Sequence, residues 1–222
     1  IGIIMAMPSL AANVAPILAT RVADRWLSAE RTLALCLAAC AGLMLFLTGV
    51  TGFLPFLLGY FLHGFFFSPT QGLTNTVTLH HTSAPRRYFG PIRGMGTLGW
   101  VAIAWGFGYF WLRGGNDFSS RLPHALWFSA GIAFLLAVYS LSFPPALQRG
   151  QRKHVPTRDL LAIFSTPSML ILVVATLLNS ITHMFYYYGM SQQLHYCGFA
   201  KEAIMPVMSL GQATEVVCMI AL

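Results

Sequence analysis

The stretch "FGPIRGMGTLGW", residues 89–100, contains a literal G-x-G-x-x-G at Gly94, Gly96 and Gly99, with Arg93 directly ahead of it. In a nucleotide-binding α/β unit those glycines need a strand before the first and a helix that opens at the last. Here a basic turn, "SAPRRYFGP", precedes them and an apolar run, "WVAIAWGFGYFW", follows. The nucleotide-fold context is absent. In a membrane helix the same glycines have another use: Gly90 and Gly94 are four apart and Gly96 and Gly99 three apart, and such small residues let helices approach closely where lipid supplies no hydrophobic drive. Arg93 then follows a helix-starting proline, Pro91. Two readings of it stay open: a cation that snorkels to the headgroups, or one on the packed face, where intramembrane charges mark substrate or ion paths.

Composition decides the solvent. Of 222 residues, 56% are hydrophobic and 9% charged, against about a quarter charged in a soluble domain. Apolar runs recur at about 2–22, 31–50, 53–79, 91–112, 123–143, 167–190 and 203 to the end, near the roughly 20 residues that cross a bilayer. The expected fold is all-α, a multi-spanning membrane bundle of about seven helices. The first residue is Ile and the last run stops at "MIAL" with no polar flank, so a fragment cut within membrane segments is expected. Cys36, Cys40, Cys197 and Cys218 have no metal-ligand spacing and read as small apolar residues.

The basic residues are unevenly shared among the connections. Arg21, Arg25 and Arg31 fall in the first, Arg86 and Arg87 in the third, and Arg149, Arg152, Lys153 and Arg158 in the fifth. The even-numbered connections carry Arg113, Arg121 and Lys201. Nine against three places the first, third and fifth connections in the cytoplasm. The net charge of +7 is therefore expected to face anionic lipid heads, with no nucleic-acid partner. The basic fifth connection divides the chain into an N-terminal helical bundle, 1–145, a cytoplasmic linker, 146–165, and the start of a second bundle, 166–222.

Polar residues inside the spans carry the functional signal. Glu215 lies one turn after Gln212 in "MSLGQATEVVCMIAL", so both project on one helix face. An intramembrane carboxylate is costly when ionised and marks a proton or substrate site by default. The competing role is a structural carboxylate paired with another helix. His80 and His81 are adjacent at a loop with His63 far away, which does not make the histidine boxes of a di-iron enzyme. No hydrolase, metalloprotease or Walker motif is present, and neither a metal nor a cofactor is expected.

Four motifs carry a family resemblance. "VADRWLSAERTLAL" (22–35) resembles the loop between the second and third helices of major facilitator superfamily transporters. With "SPTQGLTNTVT" (68–78), "GPIRGMGTLGW" (90–100) and "SLGQATE" (209–215) in this order, the chain resembles the nucleoside:proton symporter family from its second helix into its eighth. Thr20 and Ser28 stand where the general loop has glycines, and Glu30 where a basic residue is usual. The resemblance implies a secondary transporter of the bacterial inner membrane, working as a monomer by alternating access, with a nucleoside and protons as its ligands. The first helix and everything after the start of the eighth would then lie outside this chain.

The resemblance also implies a site. Arg93, Thr97 and Trp100 correspond to cavity-facing positions of the fifth helix, and their spacings of four and three make one stripe. Arg93 can hold a hydroxyl or carboxylate, Thr97 can exchange a hydrogen bond, and Trp100 offers a flat face to a ring. Gln212 and Glu215 are implied to bind the ribose or base, with Glu215 as the proton-coupling candidate. His183 lies near a substrate-touching amide position of the seventh helix, beside Asn179 and Tyr187. Asp24 and Arg25 are implied to form a conformational latch that stabilises one alternating state. A permease for a sugar or another small polar solute is the alternative, and a non-transporting sensor on the same scaffold is a further one.

Overall fold

The computed structural model describes residues 2–112, 121, 123–144 and 166–221; the side chains of Asp24, Arg25, Arg86 and residues 213–221 are among those outside the description. Seven α-helices are present among the described residues: α1 (Gly2–Arg25), α2 (Ala29–Gly49), α3 (Phe53–His81), α4 (Pro85–Trp105), α5 (His124–Leu141), α6 (Pro167–Tyr196) and α7 (Lys201–Ala221). A π-helical segment, Gly106–Leu112, prolongs α4. The described residues form no strand. Helix is the expected answer for apolar runs of this length, because in hydrocarbon each backbone N–H and C=O must be satisfied within its own segment.

Among the described residues, four helices, α2, α3, α5 and α6, are long and apolar enough to cross a membrane on composition and length alone. The other three have the length, at 24, 21 and 21 residues, and carry the polar side chains singled out above: Asp24 and Arg25 in α1, Arg93 in α4, Gln212 and Glu215 in α7.

Two compact units result: Ile1–Ile92 with Gly115–Gly150, and Arg93–Gly114 with Gln151–Leu222. The division falls inside α4, so the Arg93 half of that helix belongs with α6 and α7, whereas the sequence boundary at 145 groups it with the first bundle. The expected linker, 146–165, lies outside the described residues.

In the first unit α2 packs against both α3 and α5, and α1 lies on α3. Ala29, Leu33 and Cys36 of α2 meet Leu73 and Val77 of α3, with Ala23, Leu37 and Phe66 packed on them. The buried face of α5 is made of Ala130, Ala133, Ala137 and Ser140, small residues that bring the helix axes together. Ser140 donates through Oγ to the carbonyl oxygen of Glu30, 3.0 Å away. Gly64 of α3 is a point of closest approach: a Cβ there would stand 2.9 Å from Cα of Pro8.

Candidate functional site

The second unit holds every residue of the expected substrate site. Arg93, Thr97 and Trp100 are all helical within α4, the first exposed and the other two half-buried. Continuing their stripe by steps of four reaches Ala104, only 8% exposed, and then Gly108. At that end the stripe meets α7. A Cβ on Gly108 would stand 2.9 Å from the Glu202 carbonyl oxygen and 3.1 Å from Cγ of Pro206.

Beside this contact the Trp105 indole donates through Nε1 to Oγ of Ser209, 2.8 Å away, and Ser209 donates to the carbonyl oxygen of Pro206 at 2.6 Å. Ser209 is 2% exposed. A polar relay therefore ties the end of α4 to the second and third turns of α7. Arg93, Thr97 and Trp100 are aligned with one another along α4.

Two glycines of the opening stretch, Gly96 and Gly99, behave differently from expectation. At Gly96 and Gly99 an added Cβ would meet nothing within 4 Å. Gly94 is buried, and a close helix approach is made further along, at Gly108. The reason is rotational: which small residue faces a neighbour depends on how the helix is turned about its axis, and spacing alone does not set that turn.

A second junction forms between α6 and α7. Gln212 donates through Nε2 to the Tyr187 hydroxyl oxygen, 3.2 Å away. The Tyr187 ring lies edge-on to the imidazole of His183, with centroids 4.6 Å apart at 63°, and to Tyr186, 5.6 Å apart at 85°. The Tyr186 hydroxyl in turn stands 3.6 Å from where a Cβ of Gly211 would lie. Two tyrosines of α6 thus reach α7 at Gly211 and Gln212, and the expected site residues His183 and Gln212 meet through Tyr187. Glu215 falls in the last turns of α7, and its side chain lies outside the described residues. The same holds for the side chains of Asp24 and Arg25 at the end of α1.

Trp105, Ser209 and Gly108 were not foreseen from sequence. Their signal was available in part: an indole N–H and a hydroxyl inside apolar runs must each find a partner, because the bilayer offers none. What the chemistry can do is bind. The junctions offer amide, phenol and aromatic faces suited to a neutral polar solute with a flat ring.

A family model described as nucleoside H+ symporter matches residues 1–222. Among curated proteins, YegT, a candidate nucleoside transporter of Escherichia coli strain K12, is 32% identical over 231 residues, covering all of this chain and 53% of that protein. Xanthosine permease of the same strain is 27% identical over 180 residues, covering 77% of this chain and 41% of that protein. The crystal structure of the nucleoside transporter NupG superposes with a TM-score of 0.76 at 24% identity, covering 97% of this chain and 56% of the other. The chain spans about half the length of the curated relatives it matches.

Proposed function

The chain belongs to the nucleoside H+ symporter family, and on that footing we propose that it forms part of a secondary transporter that takes up nucleosides with protons by alternating access. The observation that carries the reading is the extent of the family match, which runs over all 222 residues and so takes in both polar stripes. In this reading the chemistry is non-covalent. Arg93, Thr97 and Trp100 contribute one wall of the site; His183, Gln212 and Glu215 contribute the other, with Glu215 exchanging the coupled proton. Binding energy comes from hydrogen bonds to hydroxyl and amide groups and from stacking on Trp100. Two bundles joined by the basic segment 146–165 move against each other, and Asp24 with Arg25 latches one of the two states. The transporter acts as a monomer in a bacterial inner membrane.

The test is uptake of labelled uridine and adenosine by the full-length protein in vesicles, with and without an inward proton gradient. Wild type accumulates both, more with the gradient. Arg93→Ala loses roughly ten- to a hundredfold in uptake at low substrate, the worth of a hydrogen bond to a charged group. Glu215→Gln loses the response to the gradient. Accumulation of a sugar and of neither nucleoside would reject the substrate class and leave the fold standing.

A further inference from the structure

We infer that Tyr187 is a positioning residue that polarises the Gln212 amide, so that this part of the site recognises a hydrogen-bond donor on the substrate. The inference rests on the nucleoside reading above and adds to it what the site reads. A glutamine amide has a carbonyl oxygen and an NH2 group of nearly the same size at its two ends. Free to turn about its last bond, it offers either end to a ligand at similar cost and discriminates weakly between donors and acceptors. Here Nε2 is committed to the Tyr187 oxygen at 3.2 Å, and the oxygen end is turned away from it. The amide then presents an acceptor.

Tyr187 is itself held in place. Its ring is braced edge-on by His183 at 4.6 Å and by Tyr186 at 5.6 Å, and it is half-buried on α6. Across the junction Gly211, next to Gln212, carries no side chain to push the two helices apart, and the Tyr186 hydroxyl comes within 3.6 Å of its Cβ position. A phenol braced at a close helix crossing keeps its oxygen in place for the Gln212 N–H. The groups that the remaining amide oxygen selects on a nucleoside are neutral donors: a ribose hydroxyl or the imino N–H of the base.

The experiment compares uptake of uridine with four analogues that each lack one donor: 2′-deoxyuridine, 3′-deoxyuridine, 5′-deoxyuridine and 3-methyluridine. The full-length wild type disfavours at least one of them by roughly three- to tenfold, the worth of one neutral hydrogen bond. Tyr187→Phe keeps the ring against His183 and removes only the hydroxyl that accepts from Gln212; it brings that ratio close to one. In a Gln212→Glu background both ends of the side chain accept, so adding Tyr187→Phe changes the ratio by less than about twofold, whereas a merely structural tyrosine would cost the same in both backgrounds. Should Tyr187→Phe not reach the membrane, Gln212→Glu alone decides: it keeps the wild-type rank order of the analogues if the amide acts as an acceptor, and inverts or loses it if the amide reads through its N–H. Equal transport of all five by wild type, or an unchanged ratio in Tyr187→Phe, overturns the inference. A wild type that carries none of the five rejects the nucleoside reading itself, and this assignment with it.

Discussion

A single indole shows how the bilayer changes the worth of a hydrogen bond. Trp105 donates to Ser209, and Ser209 donates onward to the Pro206 carbonyl. Removing one partner is not symmetrical with removing the other. Ser209→Ala leaves an indole N–H with no acceptor in surroundings where water cannot replace it, which costs about 1–3 kcal/mol. Trp105→Phe leaves a hydroxyl that still donates to Pro206, so it loses less. Thermal unfolding of the purified protein in detergent should therefore rank Ser209→Ala below Trp105→Phe in melting temperature. The reverse order would mean that the indole's bulk, not its N–H, holds the contact.

Helix packing is decided by a few small residues, and conspicuous spacing does not by itself pick them out. The glycines at 94, 96 and 99 resemble a packing motif; yet Gly96 and Gly99 have no neighbour within 4 Å, and Gly108 has two atoms of α7 at 2.9 and 3.1 Å. Gly108→Ala should push α7 away from the π segment and destabilise by about 1–3 kcal/mol. Gly96→Ala meets open space and should be neutral or slightly stabilising, since alanine favours helix over glycine by up to about 1 kcal/mol. Melting temperatures of the two variants, measured side by side, check the contrast; equal effects would sink it. The π geometry sits where α4 passes from its polar stripe to this contact, and such segments often accompany functional sites.

For the molecule as a whole, the placement of charge makes a topological claim. We propose from the charge pattern that the first, third and fifth connections are cytoplasmic; the sixth, which holds the exposed Cys197, would then face outward. In a protein whose only cysteine is Cys197, a membrane-impermeant maleimide added to intact spheroplasts should label it without lysis. Labelling that requires lysis would invert the proposed orientation. Cys36 and Cys40 are buried between α2 and α3 or beside it and should stay unlabelled when present alone.

Much of the fold was legible without coordinates. Apolar runs of bilayer length become helices wherever they occur, since in hydrocarbon the backbone has to satisfy itself locally, and seven runs correspond to the seven α-helices. The ends shifted by a few residues: α4 opens at Pro85, before its glycines, and α6 continues to Tyr196. The stripe Arg93, Thr97, Trp100 was equally legible, because residues one turn apart on one helix share a face by geometry. Residue chemistry and helical periodicity by themselves determined the solvent, the helices and which residues line up along each. Only the tertiary structure decided that Gly108 touches α7, that Trp105 finds Ser209, and that Tyr187 turns the amide of Gln212, 25 residues away. Those facts depend on how each helix is rotated about its own axis against its neighbour, a quantity summed over many weak contacts along both surfaces and encoded in no short stretch of chain.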